Sequence, residues 1–382
     1  MSGRDILRFF SPRWFIAIMG TGAVANILQL MDRGADGYLH GLAVALLTAS
    51  VLAFPLALAL LCGRLLIDRQ MLRRELEHSS LVQFYSAIFI AAAVCATGLV
   101  KIPLAFVSPG TVMGTAKVFW FISLGLGLVL AVFTPWRIIT LNHGEIRRIL
   151  GFWFLPPVGL FVVVFAGNFL ALKTGDRVWI EHVAVLNAFL MGAALFLSLM
   201  LFTMFLLRGL TFPFPPSMDV VPSFTIGLAP VGVSIIALLS YLPLIGQAEA
   251  LAFAPLAVME PIVKAFAVLL WGFGFWWMLV SVLITLIAAM RKGVPVTLGY
   301  WAFVFPPAAY TLATLMLAQA TQLGFVAQVG SVLAWLVVLG WLVVLVLTLR
   351  GIINRSIFNL PPSFKEILPD RAETSPPPNP TE

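Results

Sequence analysis

Long apolar runs recur along the whole chain, and they constrain its fold more than any other feature of the sequence. Ten of them, at roughly 14–30, 39–62, 81–100, 116–135, 152–172, 183–207, 223–246, 255–290, 295–318 and 326–349, are each long enough to cross a hydrocarbon core about 30 Å thick. With no water at that depth, every backbone N–H and C=O must be paired within the protein, so such a chain folds as a bundle of helices. Composition agrees: 61% of the 382 residues are hydrophobic, and the charged fraction of 10% is far below the roughly 25% of soluble domains. Connections between the runs are short, so consecutive spans are expected to pair as antiparallel hairpins. The fold class is all-α, a polytopic membrane protein of ten transmembrane helices in five helical hairpins.

The formal net charge of +7 reports topology rather than nucleic-acid binding, because the basic residues sit in short loops. With the amino terminus inside, seventeen of the 23 Lys and Arg residues fall in inner segments. Five (Arg33, Lys101, Lys117, Lys173 and Arg177) fall in outer ones, and Lys264 lies within span eight. This asymmetry predicts a multi-pass protein of the cell (inner) membrane with both termini in the cytoplasm. No small-residue cleavage site follows the first run, which reads as a permanent span. Residues 1–350 are expected to form the transmembrane domain. Residues 351–382 make a Pro-rich cytoplasmic tail ending SPPPNPTE, too polar to bury a core and expected to be partly disordered.

Few residues could carry chemistry. Cys62 and Cys95 show no CxxC or ligand spacing, so disulfide and metal readings fail. His40, His78, His143 and His182 fall in loops or at span ends, whereas haem ligation across a membrane needs histidines inside helices. No Ser-His-Asp or HExxH arrangement is present, so neither an enzyme nor a cofactor is expected. Glu260 and Lys264, spaced i, i+4 near the outer end of span eight, form a candidate charge pair. The odd-numbered spans lack an Asp, Glu or His relay, which favours passive anion flux over proton coupling.

Helix-breaking residues show a pattern. Span one carries Gly20 and Gly22, span five Pro156, Pro157 and Gly159, span seven Pro230 and Gly232, and span nine Pro306 and Pro307. Span three departs, with Gly98 near its outer end, and Pro55 is the clear mid-span proline of an even span. Each breaker in the odd spans lies five to ten residues from the cytoplasmic end, or about 8–15 Å deep at 1.5 Å rise per residue. Distorted backbone at that depth is tolerated only where it is buried in protein or lines a water-filled cavity. Five parallel odd helices are therefore expected to form an inner ring around a central pore, with the even helices facing lipid.

The stretches FSPRWFIAIMGTGAVANIL, FWFLPPVGLFVV, IGLAPVGVSIIAL and YWAFVFPPA, in that order, resemble the tellurite-resistance/C4-dicarboxylate transporter family, which includes the plant slow anion channels. The resemblance covers nearly the whole chain except the tail. It implies five hairpins with the odd helices around the pore, and a homotrimer with one pore per subunit. It also implies that a phenylalanine before the ninth-span proline occludes the pore, and the matching residue is Phe305. The residue before a proline is pushed away from α geometry, so Phe305 is expected where the helix is distorted. Phe303, two residues away, would point to nearly the opposite side.

The function expected is a membrane anion channel or facilitative transporter for small inorganic anions or organic acids. The alternative is a proton-coupled C4-dicarboxylate (malate) carrier or a sulfite or tellurite exporter.

Overall fold

A computed structural model describes residue 7 and residues 10–32, 37–141, 146–213, 215, 217–248, 254–292 and 294–358. Every regular element among them is helical. Ten helices are long and apolar enough to cross a membrane. They are α1 (Trp14–Met31), α2 (Tyr38–Ile67), α3 (Ser86–Lys101), α4 (Pro109–Leu141) and α5 (Leu155–Thr174). The second half adds α6 (Arg177–Thr211), α7 (Leu228–Ile245), α8 (Leu256–Lys292), α9 (Phe305–Thr321) and α10 (Gly324–Ile353).

Each odd helix packs against the even helix that follows it, so the chain runs as successive hairpins. The odd helices also pack on one another in the order α1, α3, α5, α7, α9 and back to α1, which closes a ring. Each even helix leans into the groove between two ring helices. Burial follows this division. Between 67% and 94% of each odd span is buried, against 22% to 33% of each even span. The outward faces of the even helices present bare Leu, Val, Ile and Phe, as a lipid solvent requires.

The prolines of the odd spans lie elsewhere in the helices than the sequence suggested. Pro156 and Pro157 stand in the first turn of α5, Pro230 in the first turn of α7, and Pro306 and Pro307 in the first turn of α9. They interrupt no α-helix. A first-turn residue has no carbonyl one turn back to bond, so the missing N–H costs nothing there and the fixed φ suits the helix. Each of these helices is reached through a 3-10 segment: Gly151–Phe154 before α5, Met218–Gly227 before α7 and Leu298–Phe303 before α9. Span three enters through Val82–Tyr85 in the same way, without a proline. The lead-ins keep the remaining amides paired: Val304 N donates to Trp301 O at 3.0 Å and Ala308 N to Val304 O at 2.9 Å. A helix can therefore begin inside the bundle without orphaned donors. Prolines in true helix interiors, Pro55, Pro135 and Pro261, sit on outer helices, while Pro243 lies near the end of α7.

Two further expectations change. Leu155 precedes Pro156 yet keeps α geometry, with φ −58 and ψ −45. Phe305 likewise is the first residue of α9, and the departure from α geometry lies in the lead-in before it. The pre-proline preference is a bias, which the packing of these buried residues overrides. Nor do Gly20 and Gly22 break α1, which is continuous. They allow close approach: a Cβ on Gly20 would meet the Trp301 ring at 3.0 Å, and one on Gly22 would meet Val94 at 2.8 Å. Small residues at such crossings are how membrane helices gain packing without a hydrophobic driving force.

The two ends of the bundle meet on one face. Trp14, at the start of α1, packs its ring 5.8 Å from that of Phe358, beyond α10. Helix α10 runs to Ile353 and Ile357 is buried, so the folded body reaches past the boundary expected at residue 350. The Pro-rich tail from 359 onward lies outside the described residues.

Candidate functional site

Two small cavities lie among the ring helices and share one wall. The first is lined by Ile16, Met19, Phe152, Leu155, Ile226, Ala229, Gly299, Ala302, Phe305 and Pro306, on the side where α1 begins. The second is lined by Ala23, Asn26, Val94, Thr97, Phe165, Val233, Ile236, Phe305, Ala309 and Leu312. Every residue in either lining comes from an odd span, and all five odd spans contribute to the second. Phe305 is the one residue common to both, and it is 2% exposed. The space open to the centre of a water molecule is about 10 Å³ in the first cavity and about 20 Å³ in the second. Each has room for about one water. Neither cavity is wide enough for more than that beside the Phe305 ring.

The linings are apolar apart from Asn26 and Thr97, and neither contains a charged residue. Asn26 Nδ2 donates to Gly22 O at 2.8 Å and Thr97 Oγ1 to Ala93 O at 2.9 Å, one turn back on their own helices.

The residues singled out from the sequence fall at different places. Phe305 and Pro306 line the first cavity. Pro156, Pro157, Gly20, Gly22, Gly159, Pro230 and Gly232 line neither axial cavity. Gly159 lies under the Phe89 ring, and Gly232 lies against the backbone of α9. Pro230 faces outward, into a crevice it shares with Phe202 and Phe273. Glu260 and Lys264 do pair, Nζ to Oε1 at 2.6 Å, on the outer helix α8 with the two side chains 44% and 30% exposed.

Sequence reasoning overlooked a buried ionic cluster at the end of the bundle where α1 starts. Arg64, near the end of α2, reaches Glu75 Oε2 through Nη2 at 2.8 Å and donates from Nη1 to Phe10 O at 2.7 Å. Glu75, on the short helix Arg69–Glu77, also accepts from Tyr85 OH at 2.9 Å. Arg13 caps α1 and is 6% exposed, with its Nε donating to Ser11 Oγ at 3.1 Å. Burial pulls the Arg13 guanidinium down to about 10, against the opposing pull of Glu75 and, further down the order, Asp219, with Arg64 adding to the lowering. It remains a cation at neutral pH. In the sequence Arg13 counts only as one more basic loop residue; its one distinguishing signal is a place one turn before Ile16 and so below the axial stripe Ile16, Met19, Ala23 and Asn26.

Comparison with known proteins agrees with this architecture. The chain is 28% identical to an uncharacterized transporter of Methanocaldococcus jannaschii, over 93% of this chain and 96% of that protein. A second uncharacterized transporter of the same organism is 27% identical over 93% and 98%. The sulfite efflux pump SSU1 of Arthroderma otae is 24% identical over 81% and 82%. The sequence pattern described as SLAC1, voltage-dependent anion channel, matches residues 9–349. The chain is thus a membrane transport protein rather than an enzyme, and it belongs to the SLAC1, or voltage-dependent anion channel, family.

Proposed function

We propose that the protein conducts small anions passively along the axis of the five odd helices, and that Phe305 is the gate. The observation that carries this reading is that Phe305 alone walls both axial cavities. A bulky apolar ring across a narrow path stops ions by steric closure and by keeping water out. The absence of Asp, Glu and His from both linings supports facilitated flux over a proton-coupled carrier, since a proton relay needs titratable groups along the path. Sulfite is the first anion to try, on the strength of the sulfite efflux pumps among the relatives. The rest of the assignment follows the sequence reading: a homotrimer in the cell membrane, both termini cytoplasmic, with a solvated tail.

The test is anion flux from liposomes holding the purified protein, with and without an imposed pH gradient. Sulfite or chloride should run down its own gradient at equal rates in both conditions. Flux that requires the pH gradient would move the assignment to the proton-coupled carrier.

A further inference from the structure

We infer that the Arg13 guanidinium is an anion-binding position at the mouth of the axial path, fitted to small oxyanions such as sulfite or nitrate. The inference rests on the transport reading above and names the group that would first receive the substrate. Arg13 lies one helical turn before Ile16, which lines the cavity on that side of Phe305. Side chains on a helix lean toward its amino terminus, so Arg13 extends away from Phe305 toward the mouth. Its electrostatic partners are Glu75 and Arg64, beside the lead-in of span three, and Asp219, at the start of the lead-in of span seven. Span three packs beside α1, whereas span seven packs between spans five and nine, so the groups that act on Arg13 come from two separate parts of the ring.

The chemistry of the site is that of an unfilled guanidinium. Arg64, in the same cluster, has Glu75 at 2.8 Å. Among the described residues Arg13 has no ion pair, and its hydrogen bond runs from Nε to the neutral Ser11 hydroxyl. Glu75 and Asp219 act on Arg13 without an ion-pair contact, and a cation this buried is costly without a directly paired anion. Both cavity linings are uncharged, prolines take two first-turn positions each in α5 and α9, and Ala308 N is bonded to Val304 O, so among the described residues neither the linings nor these prolines offer an anion a cationic group. A planar fork of N–H donors suits two oxygens of one anion, which a halide lacks.

The experiment uses the full-length protein, wild type and Phe305→Ala, each with Arg13→Gln and Arg13→Lys, reconstituted in liposomes. Sulfite and chloride flux are read against concentration. Arg13→Gln should raise the half-saturating sulfite concentration about tenfold or more, as loss of charge-assisted hydrogen bonds implies, with little change for chloride. Arg13→Lys should lower the preference for sulfite over chloride while keeping flux. An unchanged half-saturation in a folded Arg13→Gln overturns the site. If Arg13→Gln does not fold, an unchanged sulfite preference in Arg13→Lys overturns it. If neither wild type nor Phe305→Ala carries any anion, the transport reading fails by itself. The rise in melting temperature of the detergent-solubilised protein with added sulfite then decides: present in wild type and lost in Arg13→Gln supports the site, and equal in both or absent from both overturns it.

Discussion

Gly232 and Tyr310 meet where α7 packs on α9, and a methyl group on Gly232 would stand 2.5 Å from the Tyr310 amide nitrogen. The obstacle is backbone, which cannot rotate away. Gly232→Ala should therefore force the two ring helices apart and cost about 1–3 kcal/mol. Gly192, on the outer helix α6, has nothing within 4 Å of such a methyl. Gly192→Ala should lose nothing and gain up to about 1 kcal/mol from helix propensity. Thermal unfolding of the two variants in detergent gives the comparison, and equal melting temperatures would contradict the close crossing.

Phe305 and Phe303 separate a gate from a core aromatic. Removing a packed phenylalanine costs roughly 3–5 kcal/mol in a core. Phe305 borders two cavities, so Phe305→Ala should lose less, stay assembled and raise anion flux. Phe303 is half-buried against Tyr300, with ring centroids 5.6 Å apart, and lines neither cavity. Phe303→Ala should leave flux where it is. Currents scaled to surface protein measure both, and a folded Phe305→Ala with unchanged or lower current rules out the gate.

Arg64 and Glu75 form an ion pair with side chains only 1% and 5% exposed. Breaking such a pair from one side strands a buried charge, so Arg64→Met or Glu75→Gln alone should cost about 3–5 kcal/mol. The double variant should lose markedly less than the sum. Additive losses in a double-mutant cycle would show that the two groups act independently.

Glu260 and Lys264 are exposed enough for solvent to screen them, and an exposed i, i+4 pair is worth about 0.3–0.5 kcal/mol. Neutralising either should change expression or assembly slightly and leave anion selectivity alone. A shift in selectivity or a loss of proton-coupled uptake in a well-folded variant would instead give the pair a transport role.

Membrane sidedness can be read with accessible tags. A probe at Arg177 should be labelled only from outside, and tags at either terminus only from the cytoplasm. Labelling of the two termini from opposite sides would break the even number of spans.

Much of the fold was legible in the chain, because lipid leaves few solutions to an apolar sequence. The ten runs marked ten helices, and the alternation of breakers between odd and even spans pointed to the buried ring. The precise meaning of those breakers was hidden. A proline in an apolar run reads the same whether it kinks a helix or opens one, and only the 3-10 segments Gly151–Phe154 and Leu298–Phe303 reveal that α5 and α9 start at their prolines. Glycines were misread for a similar reason: what Gly20 and Gly232 do depends on Trp301 and Tyr310, which lie far along the chain.

What the sequence determined by itself was the solvent, the helical class and the number of crossings, since hydrophobic length and backbone pairing are local properties. The family resemblance singled out Phe305. The tertiary structure decided what those residues face. It closed the ring from α9 back to α1, brought residues of all five odd spans around one cavity beside Phe305, and buried Arg13 near Glu75 and Asp219. Those relationships join segments from tens to hundreds of residues apart, and packing between helices, which no local pattern encodes, is what fixes them.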